Sequence, residues 1–232
     1  MSEITSLLDN ILSNGTTLST SGSTGTPKQI VQPVSKLLAA NSVAREVQNI
    51  TKSSRVLTVC TLKHAGGLLA QTLPAHEVGA YIDVQPFNAY AWTRQIQDYT
   101  HSHLTPDMAR AVMKTHKFAE LDLTNITIMC GSDRVPSILI QAFVDRGATF
   151  IANWGMTEVG PTAINKTYKP GMQVQNPESI MGDTVWCDTR IQEGELYVKG
   201  DICVYDDWFA TGDIVDQREE VYYYIGRKNV SV

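Results

Sequence analysis

Residues 20–28 of this chain read Thr20-Ser21-Gly22-Ser23-Thr24-Gly25-Thr26-Pro27-Lys28. Seven of the nine residues are Gly, Ser or Thr. The two glycines allow turns in which a Cβ atom would clash. Such a turn can point successive N–H groups into one concavity that binds anions, and the hydroxyls add further donors. The lysine contributes a compact positive charge. The segment therefore predicts a loop that binds a polyphosphate.

Two other interpretations of this loop fit the sequence less well. A flexible Gly/Ser/Thr linker has a similar composition, but a linker does not need the terminal Pro27-Lys28 or the apolar pair Ile30-Val31 that follows. A Walker A loop requires Ser or Thr directly after its lysine, to bind Mg²⁺. Gln29 occupies that position here, which argues against an ordinary P-loop NTPase.

The loop resembles the phosphate-binding motif of the adenylate-forming enzymes, the superfamily of acyl-CoA synthetases, luciferases and peptide-synthetase adenylation domains. Further segments resemble motifs of this family in the same order along the chain: His64-Ala65-Gly66-Gly67, Trp154-Gly155-Met156-Thr157-Glu158, Gly194-Glu195-Leu196-Tyr197-Val198-Lys199-Gly200, Thr211-Gly212-Asp213 and Tyr223-Tyr224-Ile225-Gly226-Arg227-Lys228. Together they cover nearly the whole chain.

Composition excludes several other classes of protein. Hydrophobic residues make up 43% of the chain and charged residues 19%, which indicates a packed globular core. The net charge is −5, with no basic run, so we expect no nucleic-acid partner. The four cysteines form no C-x-x-C pair and predict neither a zinc site nor a disulfide framework. Cys60 and Cys130 lie in apolar runs and are predicted to be core thiols.

The chain starts without a signal-peptide pattern and has no apolar run of membrane-spanning length. We therefore expect a cytoplasmic protein without a membrane span.

Short apolar runs alternate with helical patterns in the first two thirds of the chain. Strands are predicted at residues 56–62, 80–84, 126–130 and 149–153, and helices at 34–50, 106–117 and 136–146. In the last helix, Ile138, Leu139, Ala142 and Phe143 fall on one face. This alternation predicts an α/β fold, a layered domain with a largely parallel sheet flanked by helices.

The pattern changes after about residue 165. Short antiparallel strands are predicted at residues 195–199, 203–205 and 221–225. We therefore expect an α/β nucleotide-binding core over residues 1–165 and a small β-rich subdomain over residues 166–232, ending at the hinge of the family. Ligands of such sheets bind beyond the carboxyl ends of the strands, and two candidate segments, Gly131-Ser132 and residues 154–158, follow predicted strands.

The resemblance implies an ATP-dependent, AMP-forming ligase that adenylates a carboxylic acid with Mg²⁺ and passes the acyl group to a thiol, with coenzyme A as a candidate. It implies catalytic roles for Lys28, Thr157 and Glu158, with Glu158 as the metal ligand and Thr157 at the α-phosphate. The other phosphates would be bound by Thr20, Ser21, Gly22, Ser23, Thr24, Gly25, Thr26 and Lys28.

The remaining nucleotide contacts implied by the resemblance concern adenine and ribose. Trp154 occupies the position where the family usually has Tyr, and it would stack on adenine with Gly155 and Met156 beside it. Gly131 and Ser132 would line the other side of the base. Asp213 and Arg227 would bind the ribose. The acid would be held by His64, Gly66, Gly67 and Asn153, although His64 could equally be a satisfied core histidine.

The chain also departs from the pattern of the family. Only about 19 residues precede the phosphate loop, and the sequence stops at Val232, just after the hinge motif. Full members continue into a domain that supplies a lysine for adenylation. We therefore expect ATP binding with slow adenylation, and a partner that could be a separate C-terminal domain, an acyl carrier or another chain. The alternative function is a nucleotide- or acyl-adenylate-binding module without efficient turnover.

Overall fold

The computed structural model describes residues 3–20, 28–174 and 180–228. Residues 21–27, which carry most of the predicted phosphate loop, lie outside these ranges. Within them, the α-helices are α1 (Glu3–Asn14), α2 (Val34–Gln48), α3 (Ala65–Gly67), α4 (Leu73–Glu77), α5 (Ala89–Gln95), α6 (Pro106–Met113) and α7 (Ser137–Val144). A π-helical turn, Leu68–Thr72, joins α3 to α4, and 3₁₀ turns occur at Ile96–Asp98 and His116–Glu120.

The strands form one hairpin and two sheets. In chain order they are β1 (Thr16–Ser19), β2 (Gln29–Gln32), β3 (Arg55–Thr58), β4 (Tyr81–Val84), β5 (His101–Leu104), β6 (Thr127–Cys130), β7 (Thr149–Met156), β8 (Gly160–Tyr168), β9 (Ile180–Gly182), β10 (Thr184–Val185), β11 (Asp188–Gln192), β12 (Glu195–Lys199), β13 (Phe209–Arg218) and β14 (Val221–Arg227).

The larger sheet has seven strands in the order β10-β8-β7-β6-β5-β3-β4. Strands β4, β3, β5, β6 and β7 run parallel, whereas β8 and β10 add antiparallel strands at one edge. The smaller sheet is antiparallel, with the order β11-β12-β13-β14-β9. The predicted α/β class, with a largely parallel sheet and a β-rich C-terminal part, is confirmed.

Burial explains why these segments form strands and helices. The inner parallel strands β5, β6 and β7 are covered on both faces, as such sheets require, and several of their residues belong to an extensive apolar core, whereas the edge strand β4 is partly exposed. The ring of Phe143 lies at the centre of this core. The rings of Trp92, Phe118 and Phe150 pack around it, with centroids 5.0 Å to 6.3 Å from its own.

Strand β5 is fully buried although its sequence, His-Ser-His-Leu, is mostly polar. Its polar side chains reach backbone carbonyls: His101 Nε2 lies 2.9 Å from the Gln48 carbonyl oxygen, and the Ser102 hydroxyl donates to the Leu57 carbonyl oxygen at 2.9 Å. Hydrogen bonds of this kind offset most of the cost of burying polar atoms. Burial lowers the pKa of His101, which favours the neutral ring.

The structure differs from the sequence patterns at several places. In α7 the buried residues are Leu139, Ile140, Phe143 and Val144, whereas the apolar face noted in the sequence also contains Ile138 and Ala142. Ile138 is 74% exposed because it lies on the opposite side of the helix. Residues 203–205 form turns rather than a strand. The helix predicted at residues 106–117 stops at Met113, since a separate 3₁₀ turn follows it.

The predicted boundary at residue 165 falls inside β8, and β10 returns to the larger sheet. The division into two subdomains stays a prediction. Among the described residues, no helix is both long enough and apolar enough to cross a membrane.

Candidate active site

The carboxyl ends of β3, β5, β6 and β7 meet at one edge of the larger sheet, as expected for parallel strands. Two connected clefts open there, of about 960 Å³ and about 220 Å³. The larger one is lined by the predicted residues Thr20, Lys28, His64, Gly66, Gly67, Thr157 and Glu158. The smaller one is lined by Trp154 and Asp213. Both clefts are lined by Ser132, Asn153, Gly155, Met156 and Arg227.

The structure therefore brings together every described candidate except Gly131, which lines neither cleft. Gly131 nevertheless has a visible reason to be glycine, because an ideal Cβ there would lie 2.5 Å from Asn153 Oδ1 and 2.6 Å from the Asn153 carbonyl oxygen. The predicted phosphate ligands Ser21, Gly22, Ser23, Thr24, Gly25 and Thr26 lie outside the described residues.

The two ends of the predicted phosphate loop are held together by the β1–β2 hairpin. The Thr20 N–H donates to the Lys28 carbonyl oxygen at 2.9 Å, and the Lys28 N–H donates to the Thr20 hydroxyl at 3.3 Å. Gln32, at the end of β2, donates from Nε2 to the Thr157 carbonyl oxygen at 2.7 Å. The hairpin is thus fastened directly to the segment that carries Glu158.

Glu158 lies in the turn between β7 and β8 and is only 8% exposed. Its backbone carbonyl accepts from the Val204 N–H at 2.9 Å. Its carboxylate makes no hydrogen bond or ion pair with the residues that the structure describes. A carboxylate that lines the cleft without a described protein partner suits a hard cation such as Mg²⁺.

The described residues contain no cluster of three or more His, Cys, Asp or Glu side chains that could hold a metal by themselves. This fits Mg²⁺ held by one carboxylate together with substrate phosphates, which is a common arrangement for that ion.

Trp154, Asp213 and Arg227 form a hydrogen-bonded group across the two sheets. The Trp154 indole N–H donates to Asp213 Oδ2 at 2.9 Å, and Arg227 Nη1 donates to Asp213 Oδ1. Asp213 itself is 3% exposed. Each carboxylate oxygen has more than one lone pair, so both can still accept a further donor. The indole is therefore held by a polar contact at its edge, with its ring in the wall of the smaller cleft.

Glu195 and Lys228 form a second ion pair at the mouth of the larger cleft, at 2.6 Å. The hydrogen bond from Lys228 to Glu195 raises the pKa of that lysine. Glu195 also accepts from the Gly212 N–H at 3.1 Å. Both residues lie in motifs visible in the sequence, but their pairing depends on the register of β12, β13 and β14.

The helical segment after β3 forms one wall of the larger cleft. Gly67 packs so closely that an ideal Cβ would lie 2.0 Å from the Thr61 carbonyl oxygen, and one at Gly66 would lie 3.1 Å from His103 Cε1. A π-helical turn follows directly, a feature frequent at functional sites. His64 is exposed at the cleft, with Nδ1 3.4 Å from the Ser19 carbonyl oxygen, so it is not a core histidine.

Cys60 and His103 also line this cleft, although neither was predicted as a site residue. Strand β3 ends at Thr58, so Cys60 lies beyond it and is half-buried rather than a core thiol. Its thiol donates to the His103 carbonyl oxygen at 3.3 Å, and burial raises its pKa to about 11. No motif pointed to His103, and the available signal was its position three residues before Pro106, the first residue of α6. Cys130 is buried, as predicted.

A seven-stranded, largely parallel sheet accompanied by a five-stranded antiparallel sheet is the fold of the adenylate-forming enzymes. The structure of ATP-bound MatB from Rhodopseudomonas palustris superposes with a TM-score of 0.79 and 16% identity, over 92% of this chain and 48% of that one.

The family of AMP-binding enzymes matches residues 17–212, and the chain belongs to that family. An indoleacetate–CoA ligase from Aromatoleum aromaticum is 30% identical over 241 residues, covering 90% of this chain and 46% of the relative. A feruloyl-CoA synthase from Amycolatopsis sp. is 30% identical over 236 residues, covering 89% of this chain and 48% of the relative. The chain thus spans about half the length of these relatives.

Proposed function

We propose that this chain binds Mg-ATP and a carboxylic acid and joins them into an acyl-adenylate, as an AMP-forming acid–thiol ligase. The main support is the convergence of Lys28, Glu158 and Asp213 on one connected pair of clefts, although they are far apart in the sequence. The two curated relatives are named for coenzyme A ligation of indoleacetate and for synthesis of feruloyl-CoA, and we extend that reaction type to this chain.

The residues of the clefts suit the parts of ATP in different ways. Lys28 is an exposed cation at the end of the hydroxyl-rich loop, where it would attract the β- and γ-phosphates. Asp213 and Arg227 offer an acceptor and a donor for ribose hydroxyls beside the indole of Trp154, which would stack on adenine. Ser132 would close the opposite side of the base.

The chemical step needs an acid carboxylate aligned with the α-phosphorus, and pyrophosphate leaves as the new bond forms. Thr157 would bond to the α-phosphate. Glu158 would hold Mg²⁺, which neutralises phosphate charge when it is bound. The acid would lie between Gly66 and Asn153 in the larger cleft. A thiol, either coenzyme A or a carrier thiol, would then displace AMP.

One observation favours the alternative of a nucleotide- or acyl-adenylate-binding module without efficient turnover. The described cations that line the larger cleft are Lys28, Arg227 and Lys228. The last two are paired with Asp213 and Glu195. Among the described cations of this cleft, Lys28 is then the one without an ion-pair partner. It would bind the β- and γ-phosphates, so no described cation would remain for the α-phosphate. A further cation at the α-phosphate, from a partner domain or another chain, would raise the rate.

Pyrophosphate exchange into ATP, measured with a panel of carboxylic acids, separates these functions. Exchange that depends on Mg²⁺ and on one of the acids is the expected result. Mg-ATP binding by calorimetry without any exchange would favour the binding module. Absence of Mg-ATP binding would contradict both the ligase and a nucleotide-binding module.

A pair of variants tests the metal role within the same assay. Glu158→Gln keeps the side-chain shape but removes the charge that a hard cation prefers. We expect Mg²⁺-dependent ATP binding to fall while AMP affinity changes little. Glu220→Gln, in the exposed turn between β13 and β14, is the matched control. Unchanged Mg²⁺ dependence in Glu158→Gln would place the metal elsewhere.

A further inference from the structure

His103 presents a buried nitrogen without a hydrogen-bond partner. The side chain is 4% exposed, and Nδ1 lies 2.8 Å from the Gly66 carbonyl oxygen. A carbonyl only accepts hydrogen bonds, so Nδ1 carries the proton. Burial lowers the pKa of the ring to about 4, so the ring is neutral near pH 7 and Nε2 is an acceptor. Nε2 has no partner among the described residues.

The side chain of Asn153 likewise has one hydrogen-bonded end and one buried acceptor without a partner in the ranges that the structure describes. Its Nδ2 donates to the Pro161 carbonyl oxygen at 2.6 Å, which fixes the orientation of the amide. Oδ1 is then the free end, and it is a buried acceptor with no partner in the described part of the chain. Unpaired buried acceptors are costly and uncommon in folded proteins. Two of them in one cleft point to a ligand that supplies donors.

The strand register places both side chains on the same face of the larger sheet. His103 pairs with Met129, and Met129 pairs with Ile151. Asn153 lies two residues beyond Ile151, so it points to the same side as His103. Gly131, two residues beyond Met129, lies between the two strands, and the Asn153 amide packs against it. The two acceptors therefore lie on one face at the carboxyl edge of the sheet, where the larger cleft opens.

The surroundings of His103 select the kind of donor. The nearby lining residues Cys60, Gly66, Thr105 and Met108 are uncharged, and the raised pKa of Cys60 keeps its thiol protonated near pH 7. Such a wall offers no counter-ion for a second carboxylate or for an ammonium group. Asn153 lines both clefts and lies beside the nucleotide residues, whereas His103 lines the larger cleft alone. His103 is thus the acceptor available to the acid.

We propose that the acid used at this site carries a neutral hydrogen-bond donor, a hydroxyl or an N–H group, on its otherwise apolar body, and that His103 Nε2 accepts from it. The inference rests on the proposed function, because it assigns the acid that the ligase would adenylate. A site built around a buried acceptor rejects analogues that lack the donor much more strongly than an apolar wall rejects an extra methylene group.

Acyl-sulfamoyladenosine conjugates test this without requiring turnover, because they mimic the bound adenylate. The probes are matched pairs with and without the donor: 3- and 4-hydroxyphenylacetyl against phenylacetyl, indole-3-acetyl against benzofuran-3-acetyl, and 3-hydroxyoctanoyl against octanoyl. Calorimetry on the whole chain should show at least tenfold tighter binding of the donor member in one or more pairs. In His103→Phe, which keeps a ring but removes the acceptor, that preference should fall to about onefold.

The outcomes distinguish a failure of the inference about His103 from a failure of the proposed function. Conjugates that all bind the wild-type chain, with no preference in any pair, would overturn the inference and leave the proposed function standing. Binding of none of the conjugates would overturn both. A preference that persists unchanged in His103→Phe would also overturn the assignment to His103. Binding of the donor-free conjugates to the variant shows that it is folded.

Discussion

At the scale of single residues, Asp213 joins the two sides of the proposed nucleotide site because both of its oxygens accept hydrogen bonds from cleft residues. In Asp213→Asn the ion pair with Arg227 is lost and one oxygen becomes a donor, so ribose hydroxyls lose a charged acceptor. Hydrogen bonds to charged groups contribute roughly 1.5–3 kcal/mol, so ATP affinity should fall by about one to two orders of magnitude in calorimetry.

The control for this variant lies on the same strand. Asp216→Asn also removes a carboxylate from β13, but Asp216 is paired with Arg218 outside both clefts. Its ATP affinity should match that of the wild-type chain. Equal affinities for all three proteins would reject the role of Asp213 at the nucleotide.

His103 makes the stability of the fold depend on pH. Its pKa of about 4 in the folded chain is below the value of 6.5 for an unperturbed histidine, so the unfolded state binds more protons in between. Its contribution is therefore complete above pH 6.5 and is lost as the pH falls toward 4. Between pH 7 and pH 5 the free energy of unfolding should drop by roughly 2 kcal/mol from this residue.

Urea unfolding at the two pH values measures this drop. His103→Phe should show a smaller drop than the wild-type chain, by about that amount. The exposed His116 provides the comparison, since His116→Gln should keep the full pH dependence. Identical drops in all three proteins would mean that His103 is not buried as described.

At the scale of elements, the helical segment from α3 to α4 is held against the end of β3 by a backbone contact. In Gly67→Ala the new methyl group would meet the Thr61 carbonyl oxygen at 2.0 Å, and a backbone atom cannot move aside cheaply. Overpacking of this kind should destabilise the fold by about 3 kcal/mol or more in urea unfolding.

Gly226 in β14 is the matched glycine. An ideal Cβ there meets no atom within 4 Å, so Gly226→Ala should change the free energy of unfolding by less than about 0.5 kcal/mol. A Gly67→Ala protein as stable as Gly226→Ala would show that the wall of the larger cleft is not packed as described.

The strands show which parts of the fold and of the candidate site could be predicted from the sequence and which could not. Strands β6 and β7 were found because both faces are apolar. The end of β7 was predicted wrongly, since the strand continues to Met156 and Trp154, Gly155 and Met156 lie inside it rather than after it. Strand β5 was missed because its polar residues are satisfied by carbonyls from distant segments, a property without local pattern. Cys60 was misjudged because an apolar run does not show where a strand ends. The partners of Asp213 depend on pairings 14 and 59 residues away.

At the scale of the whole molecule, the candidate site draws on both sheets. Glu158 follows β7 of the larger sheet, while Asp213 and Arg227 lie in the smaller sheet. Trp154 donates across the sheets to Asp213, and Val204, in the segment between β12 and β13, donates to the Glu158 carbonyl oxygen. A nucleotide bound there would contact both sheets and would stabilise the folded chain as one unit.

Thermal unfolding can measure this coupling. At a Mg-ATP concentration of 100 times the dissociation constant, binding stabilises the folded state by roughly 2.7 kcal/mol. For a chain of this size the midpoint should rise by roughly 5–10 °C. Asp213→Asn at the same concentration should show a smaller rise. An unchanged midpoint for the wild-type chain would contradict nucleotide binding at this site.

The indole of Trp154 gives the chain an optical probe of its own. Of the four tryptophans in the sequence, Trp154 lines one of the two clefts, and Trp92 is fully buried in the apolar core with its N–H bonded to Ser102. Indole emission responds to nearby charges and to stacked bases. The Asp213 carboxylate at its edge and a purine over its face would each quench or shift this signal, so ligand occupancy can be followed by fluorescence without attaching a dye.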